Sequence, residues 1–103
     1  MIVWKNVVAF EWDSGNIDKN VKHKVEDKES EEPFFDKKRI MLEDTKHSRQ
    51  EKRYLLLGKT KKGRKLSLIY TLRKSKIRVI SARDMNKKER RLYEEQSQKN
   101  TTI

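Results

Sequence analysis

Between residues 63 and 83 the chain reads GRKLSLIYTLRKSKIRVISAR, with apolar and polar side chains alternating on both sides of Lys74 and Ser75. That period predicts two strands joined by a two-residue polar turn. Antiparallel pairing about the turn sets Leu72 opposite Ile77, Tyr70 opposite Val79, Leu68 opposite Ser81 and Leu66 opposite Arg83, and this is the expected core face. The reverse face carries Arg73 beside Lys76, Thr71 beside Arg78, Ile69 beside Ile80 and Ser67 beside Ala82, a groove of cations, small hydroxyls and two aliphatics. Lys-Ser lacks the asparagine or glycine that marks such turns, and a slip of one residue would exchange the faces.

The remaining pattern surrounds this hairpin. Residues 7–12, rich in β-branched and aromatic side chains, predict a strand. Asp13 can cap a short helix running to about Val21, whose only aliphatic pair at helical spacing is Ile17 and Val21. Lys22, His23 and Lys24 form a basic cluster at its end. Residues 27–35 predict a second short helix, acidic over Glu29, Glu31 and Glu32 and broken near Pro33, with Phe34 and Phe35 anchoring it to the sheet.

Residues 39–44 predict a strand, 45–50 a polar loop containing His47, and 51–59 a strand apolar on both faces at Leu55, Leu56 and Leu57, as a central position requires. A four-residue loop over 60–63 would put Leu55 and Leu57 on the core face and Tyr54 and Leu56 on the groove face. Asn86 followed by Glu89 makes a capping-box pattern that opens a helix to about Gln96, docked by Met85, Leu92 and Tyr93. The expected fold is α+β: a small antiparallel sheet with N-terminal helices and a C-terminal helix, one domain over 1–97 and a frayed tail over 98–103.

Composition changes the picture in two ways. Charged residues make up 42% and hydrophobic ones 33%, a balance that leans towards disorder unless the apolar residues cluster, which they do at 1–12, 53–57 and 66–82. The 103 residues therefore support one thin core. Lys and Arg number 27 against 16 Asp and Glu, a net charge of +11, which implies a polyanionic partner, nucleic acid before a membrane surface. No basic amphipathic helix with a broad apolar face argues for a membrane. The absence of cysteine excludes disulfides and thiolate metal sites. The opening MIVWKNVVAF is too short and too soon interrupted for a signal or spanning segment, so a cytoplasmic location is expected.

Several motifs recur in a familiar order: FEWD at 10–13, Asn20, Lys22-His23, Phe34-Phe35-Asp36, Gly58, Gly63-Arg64, Tyr70-Thr71 with Arg73, IRVISAR at 77–83 and KKERRLYE at 87–94. The series spans nearly the whole chain and resembles the BrnT family, toxin components of type II toxin-antitoxin systems. The resemblance implies a RelE-like ribonuclease, held inactive by a BrnA-like protein antitoxin in a complex that represses its own operon, with DNA contacted mainly through the antitoxin. One departure stands out. The family usually has glycine after Lys-His, where this chain has Lys24, so the turn after His23 is expected to differ.

Cutting RNA without a metal needs a base for the 2′-hydroxyl, cations for the charge that builds at phosphorus, and an acid for the departing oxygen. No Asp/Glu/His cluster has ligand-like spacing, so neither metal nor cofactor is expected. Arg64, Arg73, Arg78 and Arg83 lie on or at the ends of the hairpin and can supply the electrostatic part, Arg78 and Arg83 foremost; Arg83 ends the core face and must turn outward at the strand terminus. For proton transfer the candidates are His23, Glu89, Tyr93 and Lys22, with none singled out. Lys76 and the turn lysines Lys61, Lys62 and Lys65 add phosphate attraction, with Lys59 beside them. Trp12 and Asp13 are read as structural, and His47 as an ordinary loop residue. Two other classes fit the same composition: a basic module that binds RNA or DNA without cutting, and an interaction protein whose positive face receives an acidic antitoxin segment.

Overall fold

Lys74 and Ser75 do make a two-residue turn. Their φ angles of 49° and 68° place both in the left-handed region, the geometry that matches the twist of the strands it joins. A computed structural model describes residues 9–46 and 50–101 of the chain. Its elements in order are β1 (Ala9–Phe10), a 3₁₀ turn (Val21–His23), α1 (Asp27–Glu31) running into a second 3₁₀ turn (Glu32–Phe35), β2 (Ile40–Glu43), β3 (Tyr54–Lys59), β4 (Lys65–Arg73), β5 (Lys76–Asp84) and α2 (Lys87–Thr101). The fold is α+β, and the strands form one sheet in the order β1-β5-β4-β3-β2.

The sheet is mixed rather than purely antiparallel, because β1 runs parallel to β5, pairing Ala9 with Lys76 and Phe10 with Ile77. Among the described residues β1 begins at Ala9, so the predicted strand positions before it, like His47, lie outside them. No α-helix forms over 13–21. The chain there makes successive turns, Ile17 and Val21 are exposed, and two asparagines do the anchoring instead. Asn16 Nδ2 donates to the carbonyls of Glu11 and Val79, and Asn20 Oδ1 accepts from the Ala82 amide at 2.8 Å. A helix with so small an apolar stripe buries too little to outweigh these bonds.

Pairing around Lys74-Ser75 follows expectation as far as Tyr70 and Val79. There a bulge intervenes: Ile69 pairs with Ser81, Leu68 with Ala82, Ser67 with Arg83 and Leu66 with Asp84, leaving Ile80 as the additional residue. The neighbouring hairpin also departs by one. Lys59 pairs with Lys65 around a five-residue loop, so Tyr54 faces Tyr70 and Leu56 faces Leu68 on the first face, while Leu55 and Leu57 turn to the second. Expectation had these sets reversed, since each added loop residue inverts the side-chain alternation.

The first face carries the main core: Val25, Phe34, Leu56, Leu66, Leu68, Tyr70, Ile77, Val79 and Ala82. Phe34 stands edge-on to Phe10 and Tyr70 at 5.3 and 5.0 Å, and Tyr54 stacks on Tyr70 at 5.4 Å. Phe35, expected to help anchor this segment, is 61% exposed. Gly58 is required where it is, because a Cβ there would meet the carbonyl oxygen and Cβ of Pro33 at 2.8 Å. On the second face Leu57, Met85 and Tyr93 form a smaller core under α2. That helix begins with the predicted reciprocal cap: the Glu89 amide donates to Asn86 Oδ1 and the Asn86 amide to Glu89 Oε1. It runs past Gln96 because no glycine or proline interrupts it. No helix among the described residues is long and apolar enough to cross a membrane.

Candidate nucleic-acid interface

The bulge at Ile80 decides which side chains share a surface. In the regular register Arg83 would end the core face; with one residue added, Arg83 lies opposite Ser67, Arg78 opposite Thr71 and Lys76 opposite Arg73, all on the second face. Arg83 therefore needs no outward turn at the strand end. Its alternation with the core has been reset.

Arg78 is the buried member, its side chain 9% exposed. Asp13 accepts from Nη1 and Nη2 at 2.9 Å each, and Glu11 accepts from Nη1 at 3.0 Å. The FEWD stretch makes this possible through its two-residue period: Phe10 and Trp12 pack on the first-face core, while Glu11 and Asp13 reach the guanidinium. Trp12 completes the division by donating Nε1–H to Glu31 at 2.7 Å. Gly15 leaves the room the guanidinium occupies, since a Cβ there would stand 2.6 Å from Arg78 Nη2. Arg78 holds the Asp13 carboxyl below its usual range, helped by the Gly15 amide.

Arg73 and Arg83 are the exposed members. Arg73 gives Nε and Nη2 to Glu51 at 3.2 Å each, and burial of Thr71 is completed by its hydroxyl bond to the Lys52 carbonyl at 2.7 Å. Arg83 gives Nη1 and Nη2 to Glu89 at 2.7 and 3.0 Å. Glu89 also accepts from Ser67 Oγ and the Asn86 amide, so both oxygens are occupied. Burial would raise the Glu89 carboxyl, but the bonds from Arg83, Asn86 and Ser67 outweigh it and hold the group ionised. Glu89 is thus built to orient Arg83. Tyr93 is buried and donates to Asp36; burial and that carboxylate push its phenol well above the usual range.

Arg64 stands apart from the other three. It has the side-chain parity of Leu66, on the first face, and all five of its N–H groups are used: two on Asp84, one on Glu29, and one each on the carbonyls of Lys24 and His23. The four arginines therefore do not converge on one surface. Arg64 instead ties the turn holding Lys22 and His23, both exposed, to Asp84, next to Arg83 in the chain. Lys24 holds the left-handed conformation at φ 59°, a region that glycine enters without steric cost.

The lysines divide likewise. Lys76 is exposed and pairs in register with Arg73. Lys65 makes an ion pair with Glu94 of α2. Lys61 and Lys62 sit in the loop after β3, bordering shallow surface grooves beside α1, and Lys61 also lines one of about 660 Å³ with Phe35 and Glu32. Sequence reasoning missed the carboxylate partners Glu11, Glu51 and Asp84 and the clip Asn16, and it named Asn20 only as a motif position without its bond to the sheet. Only the alternation of Glu11 and Asp13 with two aromatics carried a readable signal. The pairs Asp13–Arg78, Arg64–Asp84 and Arg83–Glu89 all fall within the segment 12–89 that matches the family model for "Ribonuclease toxin, BrnT, of type II toxin-antitoxin system".

The chain belongs to the BrnT toxin family. No curated protein sequence matches it. Membership in BrnT brings an RNA target and a protein antitoxin as partner.

Proposed function

We propose that the chain is a metal-independent endoribonuclease of the RelE-like kind, which blocks translation and growth in the cytoplasm until a BrnA-like antitoxin neutralises it, with DNA met only through that complex. The observation carrying this reading is the bulge that sets Arg83 on the face of Arg73, Lys76 and Arg78 while Arg64 draws His23 and Lys22 to the same end of β5. Arg83, aimed by Glu89, stabilises the charge on the scissile phosphate. His23 takes the 2′-hydroxyl proton, and Lys22, Arg73 and Lys76 hold flanking phosphates. Arg78 and Arg64 act as positioning residues, because Arg78 is buried and all five Arg64 donors are used within the chain, whereas Arg73 and Arg83 are exposed. Lys61, Lys62 and Lys65 contribute general attraction.

A second reading, binding without cutting, is favoured by the carboxylates that each of the four arginines already holds. Incubating the purified chain with a long single-stranded RNA in EDTA separates the two. Cleavage products support the enzyme; a stable complex with intact RNA refutes it.

A further inference from the structure

The two edges of the sheet are treated differently. Along β5 the edge is covered by β1, by the Asn16 bond to the Val79 carbonyl and by the Asn20 bond to the Ala82 amide. At the opposite edge β2 ends the sheet, and no described strand pairs with its outer side. The Asp44 amide donates to the Arg53 carbonyl at 2.8 Å, so Asp44, Leu42 and Ile40 make the bonds to β3. By the same alternation the backbone groups of Met41 and Glu43 point outward. Leu42 is 48% exposed, and β2 contains neither proline nor a bulge to discourage pairing.

We propose that the protein antitoxin adds an extended, acidic segment to β2 as a sixth strand; this rests on reading the chain as the toxin of a two-protein system. Charge selects this occupant. Lys37, Lys38, Arg39 and Lys46 flank the strand against Asp36, Glu43 and Asp44, with Arg39 bonded to the Asp36 carbonyl, on a chain of net charge +11. A second copy would bring the same charge to the edge, and an RNA backbone offers no amide and carbonyl row to match. Backbone bonds to Met41 and Glu43 supply affinity, and an apolar residue covering Leu42 supplies register. The edge lies across the sheet from Arg83, so docking and RNA contact occupy separate surfaces.

The test uses the protein of the adjoining reading frame, co-expressed with the full chain. Amide hydrogen exchange at Met41 and Glu43 should be fast in the isolated chain and at least about tenfold slower in the complex, the loss expected for one backbone bond per amide. Glu43→Pro removes an outward donor while leaving the bonds of Ile40, Leu42 and Asp44 to β3 in place. It should weaken the complex about tenfold with unchanged RNA cleavage. Exchange at Met41 and Glu43 that is equally fast in the complex, or equal affinity for a folded Glu43→Pro, overturns the proposal. Should the variant misfold, the wild-type exchange result decides alone. Because the readout is binding, a protected edge without RNA cleavage would refute the nuclease reading and leave this one standing.

Discussion

Arg64 meets Asp84 side-on, Nε on one carboxylate oxygen at 2.7 Å and Nη2 on the other at 3.1 Å. The remaining donors reach Glu29 and the carbonyls of His23 and Lys24, so one side chain joins the start of β4, the end of β5, α1 and the turn before it. Arg64→Lys keeps the charge but offers three donors in place of five. It should lower stability by about 2 kcal/mol in urea unfolding, the scale of charge-assisted bonds with partial exposure. A variant as stable as the parent would show that the clamp is unimportant.

Among the described residues three turns hold non-glycine residues in the left-handed region: Asp18, Lys24, and Lys74-Ser75. Replacing Lys74-Ser75 by Asn-Gly, or Lys24 by Gly, should raise stability by up to about 1 kcal/mol each, since the left-handed backbone costs other residues roughly that much. Thermal melts of the two variants check this, and an unchanged or lowered melting temperature would count against it.

Acid should unfold the protein through its arginine-bound carboxylates. Asp84 is held below its ordinary value of 3.8 by Arg64, and Glu89 below 4.5 by bonds that outweigh its burial. A depressed carboxyl binds fewer protons folded than unfolded, so its contribution is complete above the ordinary value and is lost as pH falls through the folded one. The melting temperature should hold down to about pH 5 and fall below about pH 4.5. Glu89→Gln should flatten that fall while starting from a lower plateau.

In the proposed function Glu51, which accepts from Arg73 Nε and Nη2, competes with RNA for that guanidinium. At this end of the face Arg73, Lys76 and Arg78 stand against Glu11, Asp13 and Glu51, so the cations are nearly balanced. Glu51→Gln should tighten single-stranded RNA binding several-fold and steepen its salt dependence. Titrations at two salt concentrations test this, and unchanged binding would mean that Arg73 does not contact phosphate.

Much of this was readable from residue order. Alternation gave the strands of the β4–β5 hairpin and its turn, and the Asn86–Glu89 spacing gave the cap of α2, because both signals are local. The bulge at Ile80 and the five-residue loop after Lys59 were not readable: each changes parity by one residue, and only packing of Leu68 against Ala82 and of Gly58 against Pro33 fixes which register wins. Arg64 and Arg78 looked like hairpin cations for the same reason. Their partners lie 20 and 65 residues away, beyond any local pattern.

Single-turnover cleavage of a long RNA in EDTA, compared between Arg83→Ala and Lys61→Ala, tests the central claim most directly. The account predicts about a hundredfold loss of rate for Arg83→Ala, the scale of removing one donor to transition-state charge, and a change within about twofold for Lys61→Ala. Equal losses in the two variants would contradict it.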